Sequence, residues 1–110
     1  MILLPFWELR YAREVRIIAK RTLQHFWVRH PKAEGPLRAW YAEVSEADWT
    51  SPADLKARYA TANFVGERVV FNIGGNRYRL VVWVSYEHHT VYVRFVGTHA
   101  EYDAIDIESV

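Results

Sequence analysis

Cysteine is absent from this chain of 110 residues, which excludes a disulfide framework and every thiolate metal site. The absence fits a reducing compartment, and the cytoplasm is the expected location. Long hydrophobic runs are missing as well. The apolar run Ile2 to Trp7 is interrupted by Pro5 and falls far short of the roughly 20 residues that a membrane-spanning helix needs. It has neither the basic start nor the small-residue cleavage site of a secretory signal, so no membrane association is expected. Lysine is scarce, three residues against eleven arginines, and the planar guanidinium suits bidentate phosphate contact better than an ammonium does. Net charge is small, +1 at pH 7, but it is unevenly spread: Arg16 to Arg38 holds six bases against Glu34 alone, and Glu101 to Glu108 holds four acids and no base.

What the chain does have is core material. Half of it is hydrophobic and aromatics are plentiful, so one folded domain with one modest core is expected rather than a disordered tail. Residues 1–14 stand apart from the rest of the chain. They are expected either as an N-terminal extension that packs on the body or as an over-called start, because valine is also the translated letter of a GTG initiator codon. Val15 then opens VRIIAK, a strand, and residues 15–110 form the domain. No internal repeat or linker interrupts it.

Helical spacing comes next along the chain. Thr22 is expected to cap a helix in which Leu23, Phe26 and Trp27 share a face. His30-Pro31 ends it, because the residue before proline is pushed out of the α region. The spacing of Leu37, Trp40, Tyr41 and Val44 predicts a second helix over 32–47. Ser51-Pro52-Ala53-Asp54 reads as a capped start with proline in the first turn, so Leu55 and Tyr59 lie on one side of a short third helix. A loop through Ala62 and Asn63 leads on.

The stretch from Arg68 to Thr98 reads as three strands, with faces assigned by alternation. Val69, Phe71 and Ile73 share one face with Tyr78, Leu80, Val82 and Val84, and with Val91, Val93 and Phe95. Arg68, Val70 and Asn72 share the other with Arg77, Arg79, Val81 and Trp83, and with Tyr92, Arg94 and Val96. Gly74-Gly75-Asn76 suits a tight hairpin because these residues accept positive φ. Thr98 to Asp103 reads as a cap and a short helix or turn. The whole is α+β: helices cover the apolar face of a small, mainly antiparallel sheet in the order β-α-α-(α)-β-β-β-(α). The face bearing Arg68, Arg77, Arg79 and Arg94 needs an anionic partner, and RNA is the first candidate.

The segments RIIAKRTL, PLRAWY, VVFNIGGNRYRLVV and VYVRFVGTHAEYD, together with the ADW and SPAD stretches, resemble those of the HigB toxins, a RelE-like branch of the toxins encoded in bacterial toxin–antitoxin operons. The resemblance runs from Arg16 to about Ile105. It implies a RelE-like fold and an mRNA endonuclease that cuts ribosome-bound transcripts. It also implies a HigA-like antitoxin with a helix-turn-helix domain. The same scaffold serves ParE-type toxins that poison DNA gyrase, and a catalytically inactive relative that only binds RNA or an antitoxin is the third reading.

RNA cleavage without a metal needs a base for the 2′-hydroxyl, cations for the charged phosphorane and an acid for the leaving 5′-oxygen. No cofactor is expected and no metal cluster is evident; His88-His89 falls in a hairpin turn, both side chains towards solvent. Arg79 and Arg94 are the candidate phosphate grip, if the hairpin register is regular. His99 and Tyr102, just after the last strand, are the candidate acid–base pair, on the strength of the resemblance and of histidine's titration near neutrality. Alternatively His99 caps the last turn and Tyr102 packs on the sheet edge. Arg68 and Arg77 extend the cationic patch. Asn72 either contacts the RNA or caps the glycine turn, and Tyr92 either stacks on a base or packs across strands. His25 and His30 lie outside any cluster and read as structural or solvent-facing.

Overall fold

The structure, a computed structural model, describes residues 15–110; the expected extension or over-called start at residues 1–14 lies outside them. Strand β1 (Arg16–Ile18) leads into helix α1 (Lys20–Arg29), a 3-10 turn (Pro31–Ala33), helix α2 (Glu34–Ser45) and helix α3 (Pro52–Arg58). Strands β2 (Asn63–Val65), β3 (Arg68–Ile73), β4 (Tyr78–Ser85) and β5 (Thr90–Thr98) come next, and helix α4 (His99–Asp103) comes after β5. Among the described residues the sheet has five strands in the order β1-β5-β4-β3-β2. Only β1, brought back beside β5 by the two long helices, runs parallel to its neighbour.

Apolar spacing puts Leu23, Phe26 and Trp27 of α1 and Leu37, Trp40 and Val44 of α2 against the sheet, where they meet Val69, Phe71, Leu80, Val82 and Val91. Phe26, Leu37 and Leu80 are fully buried; each such side chain contributes about 1.5–3 kcal/mol relative to exposure. The Trp40 and Phe71 rings meet edge to face at 5.5 Å. His30 stacks on Phe26 at 4.4 Å, which makes it part of this layer. The Val15 amide donates to the Ser45 carbonyl and the Arg16 amide to the His89 carbonyl, so the start of β1 is tied to both layers.

The strands and helices depart from the sequence expectations at four places, each for a local reason. Helix α1 starts at Lys20, not at Thr22. Extended Ala19 is its N-cap and makes no side-chain cap bond, and the Thr22 amide donates to the Ala19 carbonyl. Pro31 opens a 3-10 turn, so α2 begins at Glu34 rather than Lys32. Residues 63–65, read as loop, form edge strand β2. A two-residue turn at Gly66-Glu67 pairs Val65 with Arg68, and Gly66 adopts φ +57 there.

The fourth departure matters most for the site. Val81 pairs with Phe95 but Val82 pairs with Val93, so Arg94 is the extra residue of a bulge in β5. Beyond it the faces invert. Val96 turns to the helix layer opposite Leu80, while Phe95 turns outward. Simple alternation had them reversed.

Candidate nucleic-acid interface

The outer face of the sheet, opposite the helices, is built in rows. Arg68, Trp83 and Tyr92 are directly opposed across β3, β4 and β5. The next row is Val70, Val81 and Phe95, and the third is Asn72, Arg79 and Gly97. Val70 and Val81 are buried although they point away from the helix core, so this face is covered near its middle.

Gly97 helps place the cover. A β-carbon there would sit 2.5 Å from Cζ of the Phe95 ring and 3.2 Å from Cβ of Glu101. With glycine, the ring folds over the strand and α4 settles against the sheet. Thr98 caps that helix through a reciprocal box: its hydroxyl accepts from the Glu101 amide, and the Glu101 carboxylate accepts from the Thr98 amide at 2.8 Å. The bond from the Thr98 backbone holds the Glu101 carboxyl below its ordinary range. The His99 amide donates to the Arg77 carbonyl at 3.2 Å, which fastens α4 to the β3–β4 turn. That turn uses positive φ at Gly74, Gly75 and Asn76, as the residue types demand.

Each candidate residue then has a definite place. His99 is exposed, and its Nδ1 lies 3.0 Å from Oδ2 of Asp103 one helical turn later. With the Nδ1 proton donated to that carboxylate, Nε2 is left as the accepting nitrogen. Asp103 was not singled out from the sequence, although its i, i+4 spacing from His99 was the available signal. Tyr102 lies over Arg79, the guanidinium carbon 5.8 Å from the ring centre. Arg79 itself is only 9% exposed, contrary to the expectation of an open surface. Its Nη1 donates to the carbonyls of Asn76 at 2.9 Å and Tyr78 at 3.3 Å, so it pins the turn beneath α4. Arg77 and Asn72 are exposed at the same end of the sheet.

At the other end the arginines converge. Arg68 donates from Nε and Nη2 to the backbone oxygen of Val110, at 3.2 and 2.8 Å. Arg94 donates from Nε to the same oxygen at 3.3 Å. The cation that shares an acceptor with Arg94 is therefore Arg68, rather than Arg79. Beside Arg68, the Trp83 and Tyr92 rings stack at 5.0 Å with an interplanar angle of 25°, and Trp83 stays 37% exposed. Tyr92 thus packs across strands, in a pair that still offers a ring face to solvent. His89 is half-buried rather than solvent-facing. No group of three or more His, Asp or Glu side chains is gathered as a metal ion would need among the described residues, and none of their helices is long and apolar enough to cross a membrane.

A cationic sheet face with a stacked aromatic pair and an exposed histidine suits a single-stranded polyanion. Comparison with known proteins points the same way. Residues 33–105 match the family model described as HigB_toxin, RelE-like toxic component of a toxin-antitoxin system. The mRNA interferase toxin HigB of Escherichia coli K12 is 29% identical over 92 residues, covering 81% of this chain and 88% of that protein. The mRNA interferase HigB of Shigella flexneri matches to the same extent. Its counterpart from Escherichia coli O6:H1 is 21% identical over 94 residues, covering 83% of this chain and 91% of its own. With the family model spanning well over half of its length, the chain belongs to the HigB toxin family, RelE-like toxic components of toxin–antitoxin systems.

Proposed function

We propose that this toxin is an mRNA endoribonuclease that cuts translated mRNA on the ribosome and so stops protein synthesis in the cytoplasm. The observation that supports the reading is the convergence of Arg68 and Arg94 on one oxygen, on a sheet face that carries His99 and Tyr102 beside its other end. In the proposed reaction Nε2 of His99 takes the 2′-hydroxyl proton, and the 2′-oxygen attacks the adjacent phosphorus. The P–O5′ bond breaks, and Tyr102 protonates the departing 5′-oxygen. The arginines face the charge that develops on the phosphorane, where preorganised cations act most strongly. Arg77 and Asn72 extend the contact along the strand, and the Trp83–Tyr92 pair supplies a stacking surface for a base. The neutralising partner in this reading is a HigA-like helix-turn-helix antitoxin, with acidic groups complementary to the arginines.

Induced expression tests it. Growth should stop, and primer extension should find transcripts cut inside their coding regions. Intact mRNA with accumulating gyrase-linked DNA breaks would replace this reading with gyrase poisoning.

A further inference from the structure

The chain lays one of its own backbone oxygens on its cationic face. Beyond α4 it folds back: the Ser109 amide donates to the Asp106 carbonyl at 3.1 Å and the Glu108 amide to the Asp106 side chain at 3.3 Å. The Glu108 side chain comes to rest against the β2–β3 turn, where a β-carbon on Gly66 would lie 3.0 Å from its carboxyl carbon. The backbone oxygen of Val110 then ends up between Arg68 on β3 and Arg94 on β5. Those strands flank β4, so Val110 lies across the outer face at the end where Arg68 stands. From Asp103 onward the chain carries the acids Asp103, Asp106 and Glu108 and no base.

One oxygen receiving donors from two guanidiniums stands in for a phosphate oxygen, since arginine forks match phosphate geometry. The row formed by Arg68, Trp83 and Tyr92 places a stacking surface beside it, as a nucleotide needs. We propose that Arg68 and Arg94 form a seat for an RNA phosphodiester, and that residues 104–110 occupy this seat until RNA displaces them. The proposal rests on the ribonuclease reading above and adds the competing occupant. The tail and the RNA backbone cannot use the same donors at once. A seated tail therefore lowers apparent RNA affinity by the fraction of chains in which the seat is open.

The test uses the full-length chain and a single-stranded oligoribonucleotide methylated at every 2′-oxygen, which binds without being cut. In the wild type, RNA titration followed by NMR should move the Ser109 and Val110 signals to the positions of an unstructured peptide. The double substitution Ile105→Ser, Ile107→Ser loosens the half-buried tail without changing charge, and should tighten RNA binding by up to about tenfold if nine tails in ten are seated. Arg68→Ala should free the tail and weaken RNA binding together. Saturating RNA that leaves the Val110 signals in place would overturn the competition and leave the ribonuclease reading standing. RNA that binds neither protein would overturn both.

Discussion

Arg79 is tied into the fold by its burial and its backbone bonds. Replacing it with alanine removes two hydrogen bonds from a charged donor, to Asn76 and Tyr78. It also removes the cation under the Tyr102 ring. Bonds to charged groups contribute about 1.5–3 kcal/mol, and the two lost methylenes add roughly 0.8 kcal/mol each. Relief from keeping a guanidinium out of water offsets part of this, so the net loss should be about 2–4 kcal/mol. For a domain of this size each kcal/mol lowers Tm by about 4 °C or more, so Arg79→Ala should melt roughly 10 °C or more below wild type. Arg94→Ala, at an exposed bulge, should stay within a few degrees. Thermal unfolding followed by circular dichroism on both variants is the assay, with Arg79→Lys as the control that keeps a cation but loses the fork. An Arg79→Ala protein that melts within about 2 °C of wild type would refute the assignment of this side chain to the fold.

The helix after β5 carries three further expected outcomes. His99→Ala should flatten one limb of the pH–rate profile, because a titrating group has gone; Asp103→Asn should lower kcat by about tenfold with KM nearly unchanged, since the phosphate contacts remain. Gly97→Ala should displace the Phe95 ring and α4, costing roughly 1–3 kcal/mol, which chemical denaturation would measure. The depressed Glu101 carboxyl contributes stability that is fully present above the unfolded value and is lost as pH falls through the folded one. The helix cap should therefore hold at neutral pH and weaken from about pH 4.5 downwards, seen in the Thr98 amide signal, and Glu101→Gln should remove most of that dependence.

The sequence was most legible where periodicity was long. Phe26, Leu37, Val44, Phe71 and Leu80 were placed in the core by spacing alone, and Gly74-Gly75-Asn76 announced its turn through residue types that accept positive φ. Short or irregular elements were not legible. A three-residue strand such as β2 carries too little alternation to register. The bulge at Arg94 exchanges the faces of Phe95 and Val96 without any local mark in the sequence. Alternation predicts Arg68 and Arg79 on the outer face but not that the face is covered. Arg79 is buried because α4 returns over it, and Arg68 meets Arg94 because the segment after α4 returns between them. Both are long-range events that neighbouring residues do not encode. His99 and Tyr102 are candidates through resemblance alone, and their neighbours Asp103 and Arg79 are visible only in the fold.

The central claim is that the outer sheet face cuts RNA, with Arg94 facing the scissile phosphate and His99 moving the proton. The direct measurement is cleavage of mRNA on programmed ribosomes by purified wild type, Arg94→Ala and His99→Ala, each shown to melt normally. The account predicts a loss on the order of 100-fold or more for each variant, the usual consequence of removing one transition-state stabiliser or one acid–base group. Wild-type cleavage by Arg94→Ala and His99→Ala alike would contradict it and move the active site off this face.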